Sequence, residues 1–199
     1  MSKGKEARML FGNPFKSRLP SENEALPGRN TPVWKGAPHA VLGTATMPPF
    51  PAGYSQIILG LGCFWGAERL FWQLKGVYST AVGYAGGLTP NPTYEEVCSG
   101  QTGHSEVVLV VYDPAKITLG SILTVFWEEH DPTQGFRQGN DMGTQYRSAI
   151  FYPDSLDAYQ ITKSAAAYGE ALASAGLAGI TTEIGPLSEF FYAEDYHQQ

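Results

Sequence analysis

From residue 55 onward, short apolar runs alternate with segments in which apolar residues recur every three or four positions. A short apolar run rich in β-branched residues is typical of a buried strand, whereas the longer spacing is typical of a helix that packs on one face. The pattern predicts five strands, at 56–61, 77–84, 106–112, 147–152 and 180–184, and three helices, at 64–74, at 119–128 and from a cap at Ser155 to about Ala175.

In chain order these elements follow the plan βαββαβ and then αβ, which is the split βαβ arrangement. This order predicts an α+β fold with a two-layer, ferredoxin-like sheet that helices cover on one face. Residues 1–54 differ, because they contain most of the prolines and show no sustained period. They also contain large apolar residues that need burial, such as Trp34. We therefore expect an extended arm over 1–54 that wraps an α+β domain over 55–199.

Charge and hydropathy limit the partners of the chain. The formal net charge is -6 and the sequence pI is near 5.2. An acidic chain without a basic face is a poor binder of nucleic acid. The most apolar stretch, 57–65, is far shorter than the roughly 20 residues that a membrane-spanning helix needs, and no signal-peptide pattern is visible. We therefore expect a cytoplasmic protein without nucleic-acid or membrane partners.

The chain has two cysteines, Cys63 and Cys98, whose separation fits neither a Cys-x-x-Cys redox pair nor a zinc site. Cys63 stands in the sequence GCFWG, where the first predicted strand ends and the first helix begins. Free N–H groups and the helix dipole at such a position favour a thiolate, which is a good nucleophile. A buried structural cysteine is the alternative that position alone leaves open.

Four ordered blocks of the sequence resemble the A-type methionine sulfoxide reductases, the peptide-methionine (S)-S-oxide reductases. The blocks are GCFWGAERLFWQLKGV, GYAGGLTPNPTYEEVCSGQTGHSE, FWEEHDPTQGFRQGNDMGTQYRSAI and FFYAEDYHQQ. The resemblance implies that the chain reduces the S epimer of methionine sulfoxide, free or in proteins, and so repairs oxidative damage. It implies no bound cofactor, and a reductant that is thioredoxin or another dithiol.

The resemblance also implies a catalytic set of four residues. Cys63 would attack the sulfoxide sulfur and become a sulfenic acid. Oxide is a very poor leaving group, so Glu106 would protonate the oxygen as the new bond forms. Tyr94 and Tyr146 would donate hydrogen bonds to the same oxygen. Without the resemblance, Glu106 would be interpreted as a solvated charge at a strand end.

Four more residues are implied around the substrate. Phe64 and Trp65 would hold the S-methyl group of the substrate between two aromatic faces. Asp141 would help to hold the substrate or its water network, and His197 would border the site. A pocket that recognises only the side-chain end would accept the free amino acid and peptides alike.

The recycling step is where this chain departs from the pattern. Many family members supply a recycling cysteine from a glycine-rich tail beyond the segment that corresponds to HQQ, whereas this sequence ends at Gln199. We therefore expect either a truncated tail or another recycling route. Cys98 is the other thiol, and we expect it to be structural.

Two alternative functions use the same residues. A thiol peroxidase would reduce hydroperoxides through Cys63. A binding module without enzymatic activity would hold methionine sulfoxide against Phe64 and Trp65. A hydrolase that pairs Cys63 with His104 is a further scheme, but the sequence motifs of such enzymes are absent.

Overall fold

The computed structural model describes residues 13–199, which form eight strands and four helices. The strands are β1 (Ser55–Leu61), β2 (Val77–Ala85), β3 (Ser105–Tyr112), β4 (Arg137–Gln138), β5 (Asp141–Met142), β6 (Ser148–Tyr152), β7 (Glu183–Pro186) and β8 (Phe190–Tyr192). The helices are α1 (Phe64–Trp72), α2 (Tyr94–Cys98), α3 (Leu119–Glu128) and α4 (Ala158–Ser174). Short 3-10 turns lie at Pro14–Lys16, Thr144–Tyr146, Ser155–Asp157 and Asp195–His197.

Six strands form one sheet in the order β7-β6-β1-β3-β2-β8. Neighbouring strands are antiparallel, except that β6 and β7 are parallel. Helix α1 connects β1 to β2, and β3 lies between these two strands. The predicted α+β class is confirmed, while the finer ferredoxin-like assignment stays a prediction.

Side chains of successive strand residues point to opposite faces of the sheet, and both faces are covered. On one face, strand residues such as Ile57 and Val110 pack with the helices through Phe71, Phe126 and Ile161. On the other face, a smaller cluster packs against the arm and the segment near β8, with Ile58, Leu109, Val111, Phe151, Phe50, Tyr54, Leu187 and Phe190 among its members. The helices therefore lie on one side of the sheet, and irregular segments cover the other.

Arm residues 13–54 are bound to the sheet domain at several separate places. The Trp34 indole N–H donates to the carboxylate of Asp195 at 3.0 Å. Earlier in the arm, the Arg29 guanidinium makes two hydrogen bonds to Glu96 in α2, at 2.9 and 2.7 Å. These contacts bury part of an otherwise irregular segment and stabilise the position of α2 on the sheet domain. The division of the chain at residues 54 and 55 stays a prediction.

Helix α4 begins later than the sequence pattern predicted. Ser155 does not cap it, because residues 155–157 form a 3-10 turn whose cap is Asp154, with its side chain accepting from the Leu156 N–H at 2.9 Å. The last predicted strand also begins later, at Glu183. No helix in the described part of the chain is both long and apolar enough to cross a membrane.

Candidate active site

Cys63 lies at the junction of β1 and α1, where the chain turns sharply over a glycine. Gly62 has a φ of +91°, and a Cβ atom at this position would lie 2.7 Å from Cβ of Gln138. A larger residue would therefore be strained and would collide with the β4–β5 hairpin. Cys63 is the N-cap residue of α1 and is exposed, and its sulfur faces the backbone N–H groups of Trp65 and Gly66.

The surroundings of Cys63 favour the protonated form of its thiol. Although the residue as a whole is exposed, partial burial of the sulfur raises its pKa, and the nearby carboxylates of Glu106 and Asp141 raise it further. The two helix N–H groups act in the opposite direction but do not outweigh these effects. The N–H groups at the helix start therefore favour the thiolate, as expected from the sequence, but burial of the sulfur, together with the two acidic groups, outweighs them.

Glu106 lies on β3 with its carboxyl group buried next to the start of α1. The residue is 1% exposed. Its Oε2 accepts a hydrogen bond from the Phe64 N–H at 3.2 Å, whereas its Oε1 is buried without a hydrogen-bond partner among residues 13–199. Burial raises the pKa of this carboxyl group to about 7, and the charge of Asp141 adds to the rise. A buried carboxyl group with such a pKa can hold a proton near neutral pH and can also give it up.

The two tyrosines come from separate loops and are both half-buried. Tyr94 is the first residue of α2, and Tyr146 ends the 3-10 turn before β6. Burial raises the pKa of Tyr146 to about 12, with the charge of Glu106 adding to the rise, and the pKa of Tyr94 is raised mainly by burial. Both phenols are therefore hydrogen-bond donors throughout the physiological range. The Tyr94 hydroxyl also lies close to the sulfur of Cys98, which brings the second cysteine near the site.

The aromatic pair after Cys63 is divided between core and surface. Phe64 is 1% exposed, whereas Trp65 is 56% exposed. His197 lies behind both rings, with centroid distances of 5.2 Å to Phe64 and 5.7 Å to Trp65. The Trp65 indole N–H donates to Nδ1 of His197 at 3.1 Å. Since His197 is 3% exposed and burial lowers its pKa, it is a neutral ring that fixes the orientation of the tryptophan.

Glu194 is a site residue that sequence reasoning missed. One of its carboxylate oxygens accepts from the Tyr84 hydroxyl at 3.0 Å, and the other accepts from the Tyr94 N–H at 2.8 Å. Nε2 of His197 lies 3.8 Å from the same carboxylate. Glu194 therefore joins the chain end to the start of α2. It stands in the block FFYAEDYHQQ, but no spacing rule marks its role.

Arg147 is a second missed residue, and it supports the loops around the site. Its side chain is almost completely buried and pairs with Glu183 at 2.7 Å. The guanidinium also donates to the backbone carbonyls of Thr144, at 2.9 Å, and of Gly103, at 3.0 Å. These bonds tie together the loops that precede β3 and β6, and each of those loops leads to a residue of the candidate site.

Asp141 is exposed on the β4–β5 hairpin, where it pairs in register with Gln138. Its charge raises the pKa of both Cys63 and Glu106, so the three side chains lie in one neighbourhood. The eight candidate residues from the sequence therefore come from one end of the sheet and from the chain end.

The buried His104 and the half-buried His130 make their hydrogen bonds to other groups. His104 accepts from the Gly87 N–H at 3.0 Å and bonds the Thr89 carbonyl at 2.8 Å, and His130 bonds Phe126 and Ser148. Burial lowers the pKa of each ring to about 4. Neither ring has a free nitrogen for Cys63, which removes the basis of the hydrolase scheme. Across residues 13–199, no group of three or more His, Cys, Asp or Glu side chains is placed to hold a metal ion.

An α+β sheet with a thiol at a helix start, beside a protonatable carboxyl group and two phenols, is typical of a thiol-dependent enzyme. Comparison with known proteins identifies the family. The family model "Peptide methionine sulfoxide reductase" matches residues 55–199, so the chain belongs to this family. The resemblance carried by the four sequence blocks is therefore confirmed.

Individual relatives agree with this assignment. Peptide methionine sulfoxide reductase MsrA of Brucella anthropi is 61% identical over 184 residues, which are 92% of this chain and 84% of the relative. The solved structure of methionine sulfoxide reductase A of Corynebacterium diphtheriae has a TM-score of 0.87 and 50% identity, over 92% of this chain and 89% of that chain. Mxr1 from Saccharomyces cerevisiae in complex with Trx2 has a TM-score of 0.55 and 26% identity, over 79% of this chain and 94% of that chain.

Proposed function

We propose that this chain reduces the S epimer of methionine sulfoxide, free or in proteins, to methionine, as a repair of oxidative damage. Membership of the family and the names of its relatives support the activity. The observation that best supports the mechanism is the buried carboxyl group of Glu106 beside the Cys63 thiol. Its pKa is near neutrality, and one of its oxygens has no hydrogen-bond partner in the part of the chain that the structure describes. This pair can supply the nucleophile and the proton that a sulfoxide requires.

The first step joins the cysteine sulfur to the substrate sulfur. The thiol of Cys63 loses its proton to solvent and attacks the sulfoxide sulfur, while Glu106 transfers its own proton to the sulfoxide oxygen and later regains one from solvent. The hydroxyl group then passes from the substrate sulfur to the cysteine sulfur as the bond between the two sulfurs breaks, which leaves a sulfenic acid on Cys63 and releases methionine. A thiol and a sulfoxide thus become a sulfenic acid and a thioether. The cysteine sulfur loses the two electrons that the methionine sulfur gains.

The phenols of Tyr94 and Tyr146 hold the sulfoxide oxygen during this step. Their raised pKa values keep both groups protonated, so each can donate a hydrogen bond without becoming charged. Donors fixed around an oxygen that gains electron density stabilise the transition state more than the ground state.

The exposed ring of Trp65 forms the main wall for the S-methyl group. Phe64 is almost fully buried, so it supplies the floor of this pocket rather than a second open face. His197 acts through Trp65, since it accepts the indole hydrogen bond and has little exposed surface. Asp141, which is exposed, borders the substrate on the side of the β4–β5 hairpin.

Turnover requires reduction of the sulfenic acid. A second thiol condenses with it to give a disulfide and water, and a dithiol then reduces the disulfide. We propose thioredoxin as this dithiol, which is supported by the structure of the related Mxr1 in complex with Trx2. Because the reaction consumes dithiol, we also propose the cytoplasm as the location, since that compartment maintains such reductants.

A single turnover without added reductant tests this function. The protein is mixed with excess racemic methionine sulfoxide, and released methionine and the remaining epimers are counted. We expect about one methionine per chain, derived from the S epimer, and none from the Cys63→Ser variant. Cys98→Ser is the matched control, because it removes the other thiol and should still release about one methionine per chain.

Three outcomes would overturn the proposal. Release of methionine by Cys63→Ser would remove Cys63 from the mechanism. If the intact chain binds the sulfoxide but releases no methionine, the binding-module alternative is favoured. Rapid oxidation of Cys63 by hydrogen peroxide, without any reaction with the sulfoxide, would favour the thiol peroxidase.

A further inference from the structure

A short turn of the arm, Pro14–Lys16, lies between the two loops that carry the site tyrosines. On one side, the Asn13 side-chain amide donates to the carbonyl of Ser99, directly after α2, at 2.7 Å. On the other side, the Thr144 hydroxyl donates to the carbonyl of Phe15 at 3.1 Å. The turn is therefore fixed to both loops, and it bridges them at the edge of the site.

Two glycines allow the turn to approach the domain closely. Gly100 has a φ of +78°, and a Cβ atom there would lie 2.5 Å from the carbonyl oxygen of Phe15. A Cβ atom on Gly143, whose φ is +150°, would lie 3.2 Å from Cδ of Lys16. The aliphatic part of the half-buried Lys16 side chain thus packs over Gly143, the residue that separates the β4–β5 hairpin from the loop of Tyr146.

Lys16 brings a positive charge to a neighbourhood rich in acidic and phenolic groups. Its charge lowers the pKa of Glu106 and of Cys98, against the larger effect of burial on each. The titratable and charged groups that act on Glu106, or on which Glu106 acts, are Cys63 at the start of α1, Tyr84 on β2, Tyr94 and Cys98 on α2, Asp141 on β5, Tyr146 before β6, and Lys16.

We propose that the turn Pro14–Lys16 forms one wall of the active site, between the loops of Tyr94 and Tyr146. Lys16 is a positioning residue that stabilises the carboxylate left on Glu106 after proton transfer. This inference rests on the proposed function for the proton transfer itself. A carboxylate that forms in a buried site gains most from a cation that is already fixed in place. The family match begins at residue 55, so Lys16 belongs to a part of the chain outside it.

The test measures the pKa of Glu106 directly. Protein labelled with carbon-13 at the glutamate carboxyl groups is titrated by NMR, and Glu106→Gln identifies the signal. Because Lys16 is only half-buried, solvent screens its charge, and Lys16→Met should raise this pKa by roughly 0.3 to 1. Lys16→Arg should restore the wild-type value. Lys35→Met, which removes an exposed charge elsewhere on the arm, should leave it unchanged.

A second variant tests the geometry while Lys16 is kept. Asn13→Ala combined with Thr144→Val releases the turn from both loops. This double variant should raise the pKa of Glu106, as Lys16→Met does. Higher salt should reduce the difference between the wild type and Lys16→Met, because the cation is only half-buried. The rate of methionine release in a single turnover should depend on pH through the ionisation of Glu106, and Glu106→Gln should abolish that dependence. In Lys16→Met, the midpoint of this dependence should shift together with the pKa of Glu106 measured by NMR.

An unchanged pKa in a folded Lys16→Met variant would overturn this inference, as would a shift that Lys16→Arg fails to reverse. The proposed function can fail separately. Normal methionine release with no shift in Lys16→Met would refute the role of Lys16 and leave the reductase activity intact. A shifted pKa in a protein that releases no methionine would support the electrostatic role and refute the proposed function.

Discussion

Replacement of Glu106 by glutamine should stabilise the folded protein at neutral and alkaline pH. The carboxyl group is buried, one of its oxygens has no hydrogen-bond partner within the described residues, and its pKa rises from 4.5 to about 7. One pKa unit corresponds to about 1.4 kcal/mol, so ionisation of this side chain costs the folded state about 3 kcal/mol. Glutamine has a similar shape, carries no charge and retains an oxygen for the Phe64 N–H.

The pH dependence of this effect has a definite sign. Because the pKa of Glu106 is higher in the folded state, the folded protein binds more protons than the unfolded chain between pH 4.5 and about 7. The contribution of Glu106 to stability therefore falls as the pH rises through this window and is constant above it. The Glu106→Gln variant lacks this loss. Its advantage in free energy of unfolding should grow from near zero at about pH 4 to about 3 kcal/mol at about pH 8.

Urea denaturation of the wild type and of Glu106→Gln, at about pH 4 and at about pH 8, measures the difference in free energy of unfolding. Comparison at each pH cancels the contributions of other buried groups, such as Glu68 and His39. Glu22→Gln, at an exposed position on the arm, is the matched control and should show no pH-dependent difference. If the advantage of Glu106→Gln does not grow with pH, Glu106 does not hold a raised pKa, and its role as the acid loses its physical basis.

Two other variants and a thiol count test substrate binding, stability and recycling separately. Trp65→Phe keeps an aromatic wall but loses the bond to His197, so KM should rise about five- to tenfold with little change in kcat; an unchanged KM would place the methyl pocket elsewhere. Arg147→Met should lower the free energy of unfolding by about 3 kcal/mol, and an unchanged urea midpoint would contradict this. Thiol counting after one turnover should show loss of about one thiol, and loss of both would put Cys98 in the recycling path.

Much of the fold could be predicted from periodicity, because its main elements are long and strongly patterned. The helix 119–128 was predicted with the bounds that α3 has, and the strands β1, β2, β3 and β6 differ from their predictions by one residue at an end. Helix α2 was missed because it has five residues within a loop rich in turn formers. It is stabilised by a capping box between Thr93 and Glu96 and by Arg29, which is distant in sequence.

The candidate site shows a similar division. The resemblance supplied Cys63, Glu106 and the two tyrosines, and the structure brings these residues together. Sequence could not supply the raised pKa of Cys63, since that depends first on burial of the sulfur in the folded chain and then on acidic groups from other strands. Nor could it supply the burial of His197, which follows from packing of the chain end against α1, where both the backbone N–H and the side chain of Gln199 donate to Glu68 at 2.9 Å.

The central claim is that Cys63 receives the oxygen equivalent that methionine sulfoxide loses. The most direct measurement is peptide mass spectrometry after one turnover in the presence of a reagent that traps sulfenic acid. The account predicts the trapped adduct on the peptide that contains Cys63, in an amount equal to the methionine released, and a much slower appearance of both in Glu106→Gln. Methionine release with the adduct on Cys98, or with no adduct and both thiols intact, would contradict it.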